Sequence, residues 1–262
     1  MKTNYHTHST WCDGKDSVEA ISLAAVDAGF DVLGFSSHAM APGCPLEWVV
    51  SAEKLPAYIQ GVRTVALRLK DSIRILCGVE ADYLEGLCNP DRANFPGVDY
   101  IIGSVHYVRA ADGASVAVDE SPEKLSLGIS DHFGGSAEAF IKAYFAQERE
   151  MISSFDFDII GHMDLVRKFN ARHPYFDENA PWYLKELELT ADVVAKSGKI
   201  VEINTGAISR GWLDDAYPSA TFRDMLRARG VKFILNSDAH SADALSCAFD
   251  RFAQAEEYVR LQ

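Results

Sequence analysis

The chain has 262 residues, 48% hydrophobic and 24% charged, with a formal net charge of −13. That is enough length and apolar content for one large α/β domain, while so acidic a chain is a poor non-specific partner for nucleic acid or an anionic membrane. The five cysteines are odd in number and form no CxxC pair, no apolar run approaches the ~20 residues that span a bilayer, and the polar start at Thr3 and Asn4 does not read as a secretory leader. A reduced, cytoplasmic protein with no disulfide framework is therefore expected.

Extended and helical patterns alternate in chain order. A first strand ends at Tyr5; Asp16 and Glu19 read as a capping box opening a helix that Gly29 closes. "DVLGFSSH" reads as a buried strand ending near Ser36, followed by a helix from Ser51 with Pro56 early in it, and by strands over 73–80 and 99–106. Between 110 and 135 no periodicity stands out, and a long loop over one face is expected there. Phe140, Tyr144, Glu148 and Met151, beside Ile141, Phe145 and Ile152, mark a helix. A strand over 157–161, a helix opening at Pro181 and stopped by Gly198, a strand over 199–204, a helix from Ser219 to Arg229, a strand over 231–236 and a helix over 247–260 complete the series. Seven Ile/Val/Leu-rich strands separated by helices imply a parallel sheet covered on both faces. A closed barrel and an open doubly wound sheet both fit that count, and neither GxGxxG nor GxxxxGKS occurs.

Each strand carries ligand-type residues at its C-terminal end: His6 and His8, His38, Glu80, His106, His162, Glu202 and Asn204, then Asp238 and His240. Asp13 follows the first pair closely, as a further ligand or as the cap of a turn. In a parallel barrel those ends share one face, where barrel active sites lie. Six of the eight histidines occupy such positions, which purely structural histidines would have no reason to do; His132 and His173 fall outside the pattern.

In that order "HTHS", "SSH", "GVEADY", "SVHY", "GHMD" and "NSDAH" resemble the motif series of the PHP (polymerase and histidinol phosphatase) superfamily, from His6 to His240, and "GVEADY" with "GHMDLVRKF" is most similar to its histidinol-phosphate phosphatase branch. The resemblance implies a single distorted seven-stranded (βα)7 barrel over 1–262 and a cluster of three divalent metals, zinc, manganese or iron. One ion would take His6, His8, Glu80 and Asp238; a second would share Glu80 with His106 and His162; a third would take Asp13, His38 and His240. Asp13 stands where other members place histidine, and this harder ligand shifts preference from Zn²⁺ toward Mn²⁺ or Fe²⁺.

Three divalent ions against the carboxylates of Asp13, Glu80 and Asp238 leave a positive site that attracts a phosphate dianion, and metals that activate water remove the need for a protein nucleophile. Arg167 and Arg210 are candidate phosphate ligands. Asp164 could meet a substrate ammonium, support a ligand or cap a turn, and Asp238 is a candidate proton donor to the leaving group. The expected activity is metal-dependent hydrolysis of a small phosphate monoester, L-histidinol phosphate, by direct attack of metal-bound hydroxide, with Glu80 and Asp238 catalytic. Another PHP-type phosphoesterase acting on a diester, nucleotide or phosphopeptide, an amidohydrolase-type barrel, and a non-catalytic metal-binding protein are the alternatives. Trp11, Trp48, Tyr83 and Tyr107 are candidates to line the pocket.

Overall fold

The computed structural model describes residues 1–39, 49–253 and 258–261. Seven strands form one parallel sheet: β1 (Thr3–Asn4), β2 (Val32–Ala39), β3 (Arg74–Asp82), β4 (Tyr100–Ser104), β7 (Ile159–Ile160), β8 (Ile200–Asn204) and β9 (Phe233–Asn236), hydrogen-bonded in that order. The chain then closes the ring just beyond β1 and β9. Thr7 pairs with Ala239 in a parallel bridge, with the His8 N–H on the Ala239 carbonyl at 2.8 Å and the Ala239 N–H on that of His6 at 3.3 Å. The sheet is thus a nearly closed barrel, which decides between the two architectures that the strand count allowed.

Alternation along the strands splits the core in two. Tyr5, Val32, Leu76, Tyr100, Ile102, Ile159 and Ile234 fill the barrel interior. The opposite faces pack against the outer helices, among them α1 (Val18–Asp27), α2 (Leu55–Arg68), α4 (Ala137–Ser154), α5 (Pro181–Ser197) and the helix Ala220–Arg227. Tyr100 plugs the barrel below the site. A Cβ on Gly34 or Gly78 would lie 2.3 or 2.4 Å from its side chain, so both positions need glycine for room. No described helix is long and apolar enough to cross a membrane.

Several boundaries differ from the pattern-based reading. Ser17, not Asp16, caps α1, accepting from the Ala20 N–H; Asp16 instead accepts from the Ala242 N–H at 2.9 Å, and Glu19 pairs with Arg68. Pro56 lies in the first turn of α2. The stretch expected as a loop over 110–135 is ordered. Tyr107–Arg109 (β5) and Ser115–Ala117 (β6) form an antiparallel hairpin, and Pro122–His132 is helix α3. Near the C-terminus only Phe249–Phe252 is helical among the described residues, and Tyr258 instead pairs with Phe233. Cys12, Cys77 and Cys247 are free thiols; Cys44 and Trp48 lie outside the described residues.

Candidate metal centre

Strand register assembles the site. β2 and β3 run side by side with His38 directly opposite Glu80, which requires β2 to continue past Ser36, where the sequence pattern had ended it. Residues two apart share a face of a strand, so each rim position comes with a companion. Ser104, two before His106, donates its hydroxyl to Glu80 Oε1 at 2.7 Å. Asp82, two after Glu80, lies 2.5 Å from His106 Nδ1. Glu202 lies 2.9 Å from His6 Nδ1. The sequence reading assigned neither contact; for Asp82 the spacing of two from Glu80 was the available signal, while Glu202 was read only as a ligand-type residue at a strand end.

The nine expected ligands converge. His6 Nε2 and His8 Nε2 face each other at 3.1 Å, and Asp238 Oδ1 lies 3.7 and 3.3 Å from them. Glu80 Oε2 lies 3.2 Å from His6 Nε2, 3.5 Å from His8 Nε2 and 3.1 Å from His38 Nδ1, while Glu80 Oε1 is 2.8 Å from His162 Nε2 and 3.6 Å from His106 Nε2. Asp13 reaches His240 Nε2 at 3.1 Å, His8 Nδ1 at 3.6 Å and His38 Nε2 at 3.8 Å, so its carboxylate faces imidazoles. His38 therefore stands between Glu80 and Asp13. Three sets bring their ligand atoms within 4.8 Å of one another: His6, His8 and Asp238; His38, Glu80 and His106; and His8, Asp13, His38 and His240.

These residues fit metal ions on physical grounds. Glu80 Oε2 is buried with no hydrogen-bond donor, although three imidazole nitrogens surround it, and an unsatisfied buried carboxylate oxygen is costly. Burial pushes His8 down to about 4, with His240 adding to the effect, and pushes His38 down to about 3. Both rings are then neutral near pH 7, the form that binds metal. Burial opposes ionisation of Glu80, but His6, His38 and His106 hold it well below the usual carboxylate range. Arg210 and His6 do the same for buried Asp238. Asp238 also adopts φ 51°, a left-handed backbone conformation of the kind that concentrates at functional sites.

A cavity of about 600 Å³ opens over the cluster. Arg210 lines it, with Nη2 2.7 Å from Asp238 Oδ2 and Nη1 3.3 Å from His240 Nδ1. Arg167 is not among its lining residues. Its Nε donates to Glu178 at 2.6 Å and its Nη1 lies 3.8 Å from Asp164. The neighbouring Lys168 lines the cavity instead, its Nζ donating to Asp119 Oδ2 at 2.9 Å. Asp164 is likewise absent from the cavity wall. It is fully buried in a left-handed turn and accepts from the Ser219 N–H at 2.9 Å. Tyr107 reaches the cavity, whereas Trp11 packs on Tyr58 and Tyr83 on Phe155. The hairpin and the segment after it supply the far wall through Tyr107, Ala117, Asp119 and Glu120.

The family model for the PHP domain matches residues 4–206. A relative from Deinococcus radiodurans, named probable histidinol-phosphatase, is 30% identical over an alignment covering 97% of this chain and 91% of its own. The structure of a candidate histidinol phosphatase from Listeria monocytogenes superposes with a TM-score of 0.82 at 21% identity, covering 96% of this chain and all of the other. A Lactococcus lactis histidinol phosphate phosphatase, solved with zinc, L-histidinol and phosphate, superposes at 0.65 and 20% identity, covering 92% of this chain and 87% of its own.

Proposed function

Because the chain belongs to the PHP domain family, we propose that it is a metal-dependent phosphatase that hydrolyses L-histidinol phosphate to L-histidinol and phosphate. The observation that carries the reading is Glu80 Oε2, buried and without a hydrogen-bond donor at the meeting point of His6, His8 and His38. His6, His8, Glu80 and Asp238 would hold one ion, Glu80 with His106 and His162 a second, and Asp13, His38 and His240 a third. Divalent ions there would offset phosphoryl charge and lower the pKa of water.

The chain's own groups supply the rest. Arg210 stands at the cavity wall beside Asp238, and its planar fork suits two oxygens of a phosphoryl group. Lys15 and Lys168 are further cations of the cavity, and Lys168 lines it where Arg167 had been expected. Asp238, held ionised by Arg210 and His6, has a free lone pair to accept a proton or bind a cation. As a base it would take a proton from the attacking water and pass it to the leaving alkoxide, in keeping with its expected role as donor. Asp119, ion-paired with Lys168, and Glu120 make the hairpin side of the wall acidic. Such a wall suits an ester whose alcohol carries an ammonium, as that of L-histidinol phosphate does. The names of the curated relatives support the same substrate.

The test is steady-state turnover of L-histidinol phosphate, p-nitrophenyl phosphate and bis-p-nitrophenyl phosphate by protein loaded with Zn²⁺ or Mn²⁺. Highest kcat/KM for the first and no turnover of the diester are expected. Preference for the diester would reassign the chain to phosphodiester chemistry, and no turnover of any ester would make it a metal-binding protein without this activity.

A further inference from the structure

We propose that Glu202 is a positioning residue that aims His6 at the metal centre and locks it to the backbone of His162. The proposal rests on the metal reading above. Glu202 is fully buried on β8, and its two oxygens meet four donors from four segments of the barrel rim. Oε1 accepts from the His162 N–H at 2.7 Å and from Asn204 Nδ2 at 2.8 Å. Oε2 accepts from Asn236 Nδ2 at 2.8 Å and lies 2.9 Å from His6 Nδ1, which is 3.1 Å from Oε1. An ionised carboxylate only accepts, so His6 must place its proton on Nδ1. That leaves Nε2 directed at Glu80 and His8.

The contrast with Glu80 separates two buried glutamates of the rim. Glu80 has an oxygen with no donor, as a metal ligand requires, whereas Glu202 has both oxygens occupied and none to spare for an ion. A carboxylate behind a metal-bound histidine fixes its tautomer and orientation and raises its basicity. Glu202 adds a second link, because the same carboxylate holds the main chain of His162 through Oε1. One side chain thereby sets the relation between ligands of two different strands. Glutamine cannot replace it, since every neighbour of Glu202 donates and an amide N–H₂ must face one of those donors.

Zn²⁺ alone is the probe. Metal-free wild type and Glu202→Gln, prepared by chelation, are titrated in competition with a chromophoric chelator. The variant is expected to bind at least one Zn²⁺ about 10–100-fold more weakly while keeping the circular dichroism spectrum of the wild type; equal affinity in the two proteins would overturn the proposal. If Glu202→Gln does not fold, the wild type settles the matter. In ¹⁵N-histidine NMR of the Zn²⁺-loaded protein, His6 should show Nδ1 protonated and Nε2 bound to metal, and metal on Nδ1 would overturn it. A wild type that takes up no Zn²⁺ or other divalent ion would sink the metal reading itself, a result distinct from normal uptake by the variant.

Discussion

Arg210 and Arg167 both follow rim ligands in sequence, and the fold gives them different work. Arg210 contacts Asp238 and lines the cavity. Arg210→Met is expected to keep full metal content, since arginine is not a ligand. It should lower kcat/KM for the phosphomonoester about 10- to 150-fold, the worth of one charge-assisted hydrogen bond of about 1.5–3 kcal/mol; Arg210→Lys should recover part of this. Unchanged kcat/KM in both variants would leave phosphate binding to other groups. Arg167 is buried against Glu178 and Asp164, so Arg167→Met should act on stability. A loss on the order of 2 kcal/mol in urea unfolding is expected, less than for a fully buried pair because Glu178 is partly exposed. The kcat/KM of the folded protein should stay within a few-fold of wild type. Asp119 makes a third comparison: Asp119→Asn should raise KM for the ammonium-bearing ester more than for p-nitrophenyl phosphate, and an equal change for both would remove Asp119 from substrate selection.

At the scale of elements, the parallel strands were readable because each is a run of Ile, Val and Leu bounded by helix signals, and their ligands mark one end. The hairpin β5–β6 and helix α3 were not read. Each hairpin strand is three residues long, too short to show a period of two, and its turn depends on Gly113 at φ 90°. Helix α3 did carry a start signal, Ser121 before Pro122, with Ser121 Oγ accepting from the Lys124 N–H. Gly128 in the middle of the segment concealed the rest. Packing inside the barrel gives the clearest test of an element. Gly78→Ala would force a Cβ to 2.4 Å from the Tyr100 ring, and overpacking of this kind costs about 1–3 kcal/mol. Urea unfolding should register that loss, and an unchanged midpoint would mean that Tyr100 can move aside.

For the whole molecule, a buried acid outside the candidate ligand set makes stability depend on pH. Glu148 on α4 is buried with Tyr144 donating to Oε1 at 2.9 Å and no donor on Oε2. Burial pushes it up to about 8; the Tyr144 hydrogen bond opposes this and Asp164 adds to it. The folded state therefore holds a proton that the unfolded chain releases near pH 4.5. Between those values the folded state binds more protons, so this contribution is complete below about pH 4.5 and is lost as pH rises through about 8. Glu148→Gln should flatten the fall in stability between pH 5 and 8 by a few kcal/mol, measured by urea unfolding of the metal-free proteins; parallel pH profiles would refute it. By itself the sequence determined the alternation of strands and helices and the end of each strand that carries ligands, because hydrophobic period and residue type are local properties. Only the tertiary structure decided that the sheet closes through Thr7 and Ala239, that His38 lies beside Glu80, that Lys168 and not Arg167 faces the cavity, and that Glu202 stands behind His6. Each of these depends on register and on side-chain direction between segments far apart in the chain, where one residue of slip turns a side chain from the cavity into the core.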